Sequence, residues 1–401
     1  MTRAATILLT ARGLRAFADG FISLLLPVYL TELGFDALQI GIVTTATLIG
    51  SAAVTLAVGL LAHRREPRGL LTLAALVMIA TGIGFTLFGD FWPLAVVGFI
   101  GTLNPTSGDV SLFLPLEQSL LSQSVSDARR TAWFARYSLV GSLVGAAGAL
   151  CAVVPEWLSG AFGVAPLRAL QAMFLVYAAI GGIALWLYRV LPPASSDGSV
   201  PPKAPLGPSR NIVLSLAALF SLDSFGSGFF VQSLLALWLF DRFGLSLALA
   251  SSFFFWSGVL SALSYLVAVR IAGRIGLVNT MVFTHLPSNL CLVAVPFIPS
   301  LWGVLGLLLL RSALSQMDVP TRSSYVMAIV TPPERAAAAS LTAVPRSLAS
   351  AIGPAIAGWL MSVSAFAWPL LIGGGLKILY DLLLLAMFQR VRPPEEAVRR
   401  S

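Results

Sequence analysis

Charge is what this sequence has least of. Of its 401 residues only 10% are Asp, Glu, Lys or Arg and 57% are hydrophobic, whereas a soluble domain carries roughly 25% charged residues. A soluble fold of this length has no interior large enough for that much apolar surface. Cysteine is nearly absent too: Cys151 and Cys291 stand alone, without C-x-x-C spacing and inside apolar segments, so they read as core packing and not as a redox or metal site. There are two histidines, His63 in a polar loop and His285 in an apolar stretch. With no cysteine cluster beside them, they leave a membrane enzyme short of metal ligands or a nucleophile–base pair. No P-loop occurs, which excludes direct ATP drive within the chain. No metal or cofactor is expected.

What is present is apolar sequence in long runs. A mean hydropathy of +0.90 and repeated stretches near the roughly 20 residues that cross a bilayer point to a polytopic, all-α membrane protein. The net charge of +8 does not point to nucleic acid, because the arginines fall in short loops beside apolar runs, where they orient helices. The start, MTRAATILLTARGLRAFADG, has no small-residue cleavage site after an apolar core and reads as a tail entering a retained first helix.

Residues 191–210, LPPASSDGSVPPKAPLGPSR, are rich in Pro, Gly and Ser and form a linker. They divide the chain into a first half, 1–190, and a second half, 211–401. Each half carries six apolar segments, so twelve transmembrane helices in two pseudo-symmetric six-helix bundles are expected. Segments 1 to 6 run over about 14–33, 38–62, 70–88, 93–122, 131–153 and 170–190. Segments 7 to 12 run over about 212–240, 245–269, 277–298, 301–330, 336–361 and 369–388. Segment 4 would then be one helix about 45 Å long, kinked at Asn104-Pro105 and Pro115. Basic residues collect in the even-numbered connections and the C-terminal tail, for example Arg64, Arg65, Arg129, Arg130, Arg270 and Arg274, while the odd-numbered connections hold only Arg168 and Arg242. By the positive-inside rule both termini and the linker lie in the cytoplasm, across the cytoplasmic membrane.

The halves also resemble each other. SLFLPLEQSLLSQSVSDARR and QMDVPTRSSYVMAIVTPPER align with Pro115 against Pro320 and a basic turn downstream. Parallel repeats of this kind place a site between them near the bilayer midplane, which is a transporter's geometry. The chain resembles the major facilitator superfamily over nearly its whole length. Gly59, Leu61, Ala62 and Arg64 match the family's loop 2–3 signature G-x-L-A-D-R-x-G-R, with His63 in the Asp position and Glu66 in the second Gly position. Gly141, Gly145 and Gly148 follow the antiporter motif G-x-x-x-G-P-x-x-G, with Ala146 in the Pro position, and segment 11 carries Gly353-Pro354 and Gly358. The resemblance implies a fold of six plus six helices, alternating access, and export.

Ionisable groups inside a bilayer cost several kcal/mol unless paired or wetted, so each one is a candidate. Asp109 and Glu117 lie in segment 4, Asp223 in segment 7, and Arg311, Asp318 and Arg322 in segment 10. Asp109, Asp223, Asp318 and Arg311 are candidates for proton coupling or substrate binding. For Asp318 the alternative is a permanent brace to Arg322, its neighbour one helical turn on, or to Arg311. Glu117, Arg136, Arg322 and Arg346 are candidates for a cytoplasmic gate, with a structural Glu117–Arg136 pair as the alternative. Asp19 with Arg15, and Lys377 with Asp381, have the one-turn spacing of local ion pairs. Phe253, Phe254, Phe255 and Trp256 cover every side of segment 8, so some of them must face lipid, and Gln232 and Asn289 read as core more readily than as cavity lining.

The expected function is secondary transport of a small molecule by alternating access, as a proton-coupled exporter of drug-like, amphipathic or cationic compounds. Uptake of a sugar or organic acid is the alternative, and a membrane enzyme or a transporter-like sensor are the other classes. The expected partners are a small-molecule substrate, a proton counter-ion and the lipid bilayer, with no nucleic acid, and the chain is expected to act as a monomer.

Overall fold

The computed structural model describes residues 3–61, 66–106, 113–124, 127–192, 207, 209–330, 334–389 and 391. Among these every regular element is helical. The first is α1 (Arg3–Glu32), 30 residues and so about 45 Å long. The N-terminal stretch expected as a tail is therefore helix from Arg3 onward. Arg12 and Arg15 are buried in it, Arg15 against the carboxylate of Glu117 and Arg12 over the ring of Tyr137. α2 (Ala37–Leu61), α3 (Pro67–Leu87) and α8 (Pro166–Val190) follow segments 2, 3 and 6 closely. In α3 and α8 a proline opens the first turn, where its missing N–H has no partner to lose.

Segment 4 is not one helix. It divides into α4 (Phe91–Ile100) and α5 (Phe113–Ser124). The Asn104 side-chain carbonyl accepts hydrogen bonds from the Thr106 amide (3.1 Å) and hydroxyl (2.6 Å), a local turn that competes with helix. Pro105 keeps Asn104 out of the α region, so the expected kink is a break. Segment 10 also divides, into α13 (Leu301–Ser315) and α14 (Asp318–Ile329), and Pro320 sits in the first turn of the second piece, where helices tolerate it. Segment 7 becomes α9 (Arg210–Gly228) and α10 (Gln232–Phe243). Segment 5 is α6 (Asp127–Leu150) continued by a 3-10 turn and α7 (Val154–Phe162). α11 (Leu247–Ile275), α12 (Leu277–Ala294), α15 (Arg335–Val363) and α16 (Trp368–Phe388) complete the set.

Nine stretches among the described residues are long and apolar enough to cross a bilayer. The segments missing from that set are 4, 10 and 11, and 4 and 10 are the matched, broken pair of the two repeats. Trp92, Trp302, Phe297 and Trp256 are exposed, as lipid-facing side chains are, while Phe253 and Phe254 are buried.

By contacts the chain forms two units that differ from its chain-order halves. The first comprises Met1–Gly198, Val231–Gly258 and Pro354–Ala365, and the second Ser199–Phe230, Val259–Gly353 and Phe366–Ser401. In the first unit α1 packs on α6, α8 and α10, and α3 packs on α8. Phe85 and Phe174 stack at 5.1 Å, with Tyr29 4.8 Å from Phe174. In the second unit α16 packs on both α9 and α12 around a core that includes Leu216, Phe220, Met281, Tyr325, Tyr380 and Leu384.

The glycines that resemble an antiporter motif serve the α1–α6 contact. A Cβ on Gly148 would lie 2.1 Å from the Phe17 carbonyl oxygen, and one on Gly20 would lie 2.1 Å from that of Gly145. At Gly13, on the same helix, the nearest atom would be a Val140 methyl at 3.5 Å. Gly20→Ala is therefore expected to cost about 1–3 kcal/mol by overpacking and to lower the melting temperature in detergent, while Gly13→Ala leaves it near wild type. Equal melting of the two variants would contradict this packing.

Candidate functional site

Two buried polar clusters stand out, one in each unit. In the first unit, Arg15 of α1 forms an ion pair with Glu117 of α5 through Nη2 and Oε2, and both side chains are almost fully buried. The carboxylate also accepts hydrogen bonds from the Tyr188 hydroxyl at 2.5 Å and from the Tyr137 hydroxyl. Arg15 Nε donates to Tyr188 Oη at 3.1 Å, and the guanidinium lies 4.0 Å from the Phe113 ring centre. Such full satisfaction is what allows a charge pair to persist away from water. Arg12 is buried over the Tyr137 ring at 5.2 Å. Asp19 is buried one turn beyond Arg15 and makes no ion pair or hydrogen bond among the described residues.

The second cluster is built from four helices that carry polar residues at core positions, with α14 supplying Asp318 and Arg322. On α9, Asp223 continues the buried face of Val213, Leu216 and Phe220. On α16, Lys377 and Asp381 share a face with Tyr380 and Leu384. On α12, His285, Ser288 and Asn289 lie between Met281 and Leu292. Asp223 is the hub: Lys377 Nζ donates to its Oδ1 at 2.6 Å and Arg322 Nη2 to its Oδ2 at 2.9 Å. Lys377 also donates to Ser227 Oγ at 2.7 Å, and Arg322 pairs with Asp318. His285 stands between two carboxylates, its Nδ1 2.8 Å from Asp381 Oδ1 and its Nε2 3.8 Å from Asp223 Oδ1. The Asn289 amide donates to Asp381 Oδ2 at 2.9 Å. Arg322 lies over the Phe220 and Tyr380 rings at 4.9 and 5.8 Å.

The structure brings Asp223, Asp318 and Arg322 together, and it joins the brace between Asp318 and Arg322 to Asp223 on another helix. Two expected local pairs are replaced. Lys377 turns from Asp381 to Asp223, and Arg15 turns from Asp19 to Glu117, because contacts between helices also supply the extra hydrogen bonds that a buried charge needs. The Glu117–Arg136 pair does not form: Arg136 is exposed, stacked 5.2 Å from the Trp133 ring centre. Arg346 is half-buried on α15, and Arg311 lies 4.8 Å from the Phe230 ring centre. Gly59 lies in α2. Asp109, Ala62, His63 and Arg64 fall outside the described residues.

Sequence reasoning missed His285 and Asp381 as partners and the tyrosines around Glu117. The available signal was the spacing of His285 and Asn289, one turn apart on one helix face. Removing one member of the first cluster leaves the other buried and uncompensated. Glu117→Gln is expected to cost about 3–5 kcal/mol, and combining it with Arg15→Gln should recover part of that loss in detergent melting curves. A double variant less stable than the sum of the two singles would refute the pairing.

Comparison with known proteins agrees with this architecture. A sequence profile described as Major Facilitator Superfamily matches residues 8–316 and 216–401. An uncharacterised membrane protein of Saccharomyces cerevisiae is 22% identical, over 94% of this chain and 92% of its own. Among solved structures, the nucleoside transporter NupG superposes with a TM-score of 0.74 at 16% identity, covering 96% of this chain and 99% of its own. A bacterial homologue of the human lysosomal transporter Spinster, inward-facing and unoccupied, superposes with a TM-score of 0.72 at 13% identity, covering 96% and 95%. At these identities the structures share a fold. With a family profile matching residues 8 to 401 and a helical membrane fold shared with these structures, the chain belongs to the major facilitator superfamily.

Proposed function

We propose that this secondary transporter is proton-coupled, and that His285 with Asp223 and Asp381 forms its proton relay. The observation that carries the reading is the position of the imidazole, 2.8 Å from one buried carboxylate and 3.8 Å from another. Asp223 has Lys377 and Arg322 as fixed counter-charges, and Asp318 has Arg322. Asp381 has His285 and Asn289 instead, so the counter-charge at that end is a proton. Histidine is the side chain whose ordinary titration falls between pH 5 and 8. A ring with one nitrogen towards each carboxylate can accept a proton on one side and release it on the other. The groups facing His285 are Asp223 of α9 and Tyr380, Asp381 and Lys377 of α16. α14 and α13, which also pack on α12, bring Asp318, Arg322 and Arg311.

Alternation of the halves 1–190 and 211–401 would expose this relay to each side of the membrane in turn. The solute follows from the same bookkeeping of charge. A cationic solute requires a carboxylate without a fixed counter-ion, and in this cluster Asp223 and Asp318 are neutralised by protein cations. Asp381, which has no fixed counter-ion, is taken by His285 and Asn289 in the relay, and on that reading the cluster suits a neutral or anionic cargo better than a cationic one. The glycines that favoured export serve close packing of α1 on α6, so the proposal rests on coupling and not on direction.

The test is flux in proteoliposomes of the full chain across cationic, neutral and anionic solutes, with and without an imposed pH gradient. Movement driven by the gradient is expected for the wild type. His285→Gln is expected to abolish the gradient dependence while exchange of the same solute at equal pH continues. Undiminished driven flux in His285→Gln would remove the relay, and no gradient dependence for any solute would remove proton coupling.

A further inference from the structure

Arg311 is the cation that the second cluster leaves over. It lies on α13 in register with Val304, Leu308 and Ser315, the buried stripe of that helix, and away from Trp302, Gly306 and Leu310, which are exposed. Its position is thus within the protein and not towards lipid. Its Nε is buried without a hydrogen-bond partner, and its guanidinium stacks at 4.8 Å on Phe230. Lys377 Nζ lies 6.0 Å from the same ring centre but is held by Asp223. Arg311 has no such carboxylate among the described residues.

Other polar atoms near this cluster are unsatisfied too. Arg322 Nε and Tyr380 Oη are buried without partners, as are the acceptors Asn289 Oδ1 and, further along α12, Asn279 Oδ1. Buried polar groups are paired in the great majority of native structures, and an isolated buried cation is costlier still. A guanidinium whose Nε has no partner, stacked on an aromatic ring, is complementary to an acceptor that carries negative charge. Guanidinium is planar and matches an oxyanion through paired N–H donors.

We infer that Arg311 and Phe230 form the anion subsite of the transport site, and that the solute is an organic oxyanion, a carboxylate or phosphate monoester, whose apolar body packs near the Phe230 ring. The inference rests on the proton-coupled reading for its consequence. With the anion on Arg311 and a proton on His285 the cluster is neutral, so anion and proton travel in the same direction. The subsite itself stands on equilibrium binding, which needs no gradient.

The experiment is ligand-induced stabilisation of the purified full-length protein at fixed pH. The probes are acetate, hexanoate, benzoate, phenylacetate and phenyl phosphate, each beside its neutral amide or alcohol. At least one anion is expected to raise the melting temperature where its neutral counterpart does not, with carboxylates and phosphates telling the two oxyanion sources apart. Arg311→Gln should lose that difference and Arg311→Lys should keep part of it. Without ligand, Arg311→Gln should melt at or above wild type, because it removes a guanidinium whose buried Nε has no hydrogen-bond partner. Neutral compounds acting as well as anions, no anion exceeding its counterpart, retention of the difference in Arg311→Gln, or a lower ligand-free melting temperature for that variant would each overturn the subsite. Failure here with gradient-dependent flux intact would leave the His285 relay standing, and the reverse result would leave the subsite standing.

Discussion

A charge inside hydrocarbon must be answered inside hydrocarbon, and that requirement explains most of what is unusual in this chain. Arg15 with Glu117, and Asp223 with Arg322, are buried ion pairs between helices. Each is surrounded by further hydrogen bonds or rings that complete its solvation. The pairs occupy related places in the two repeats. Glu117 follows Pro115 by two residues, and Arg322 follows Pro320 by two. Each therefore lies on the second piece of its broken helix, α5 or α14, and is held by the first helix of its own half, α1 or α9. The sign is inverted: the broken helix supplies the anion in the first half and the cation in the second. A duplicated pair can exchange its charges and keep its strength, because the Coulomb energy depends on the product of the charges.

The breaks give these pairs a mechanical meaning. A continuous helix transmits displacement along its axis, whereas residues 101–106 after α4 and residues 316–317 between α13 and α14 lie outside the helical ladder. The second piece of each is tied by an ion pair to another helix of its own unit. Discontinuous helices at matched positions of the two repeats are where transporters place their sites, and here both carry the charged residues.

The sequence made the class, the twelve segments and the identities of several buried charges legible, because a polytopic membrane chain declares itself by long apolar runs and any Asp or Arg within one is conspicuous. It did not make the partners legible. Lys377 and Asp381, one turn apart, satisfy the helix-surface rule for an ion pair, yet Lys377 bonds Asp223 on α9 and Asp381 bonds His285 and Asn289 on α12. Spacing along one helix registers only neighbours on that helix, and in a bundle the competing partners come from the helices packed against it. The breaks in segments 4 and 10 were half visible, since Pro105 and Pro320 marked bends. Whether a proline bends a helix or ends it depends on local bonds such as those of Asn104 with Thr106.

The second cluster can be followed one step further as a set of linked choices. Asp223 binds both Lys377 and Arg322, so any change in its charge is felt at both cations and, through Arg322, at Asp318. His285 Nε2 lies 3.8 Å from the same carboxylate, at the oxygen that also binds Lys377. Under the proposed relay, a proton on the imidazole would change the balance at Asp223, and with it the hold of α9 on α14 and α16. Lys377 in turn shares the Phe230 ring with Arg311. The proposed relay and the proposed anion subsite would thus meet through one aspartate and one aromatic ring, the minimum wiring by which occupancy of one site could bias the other.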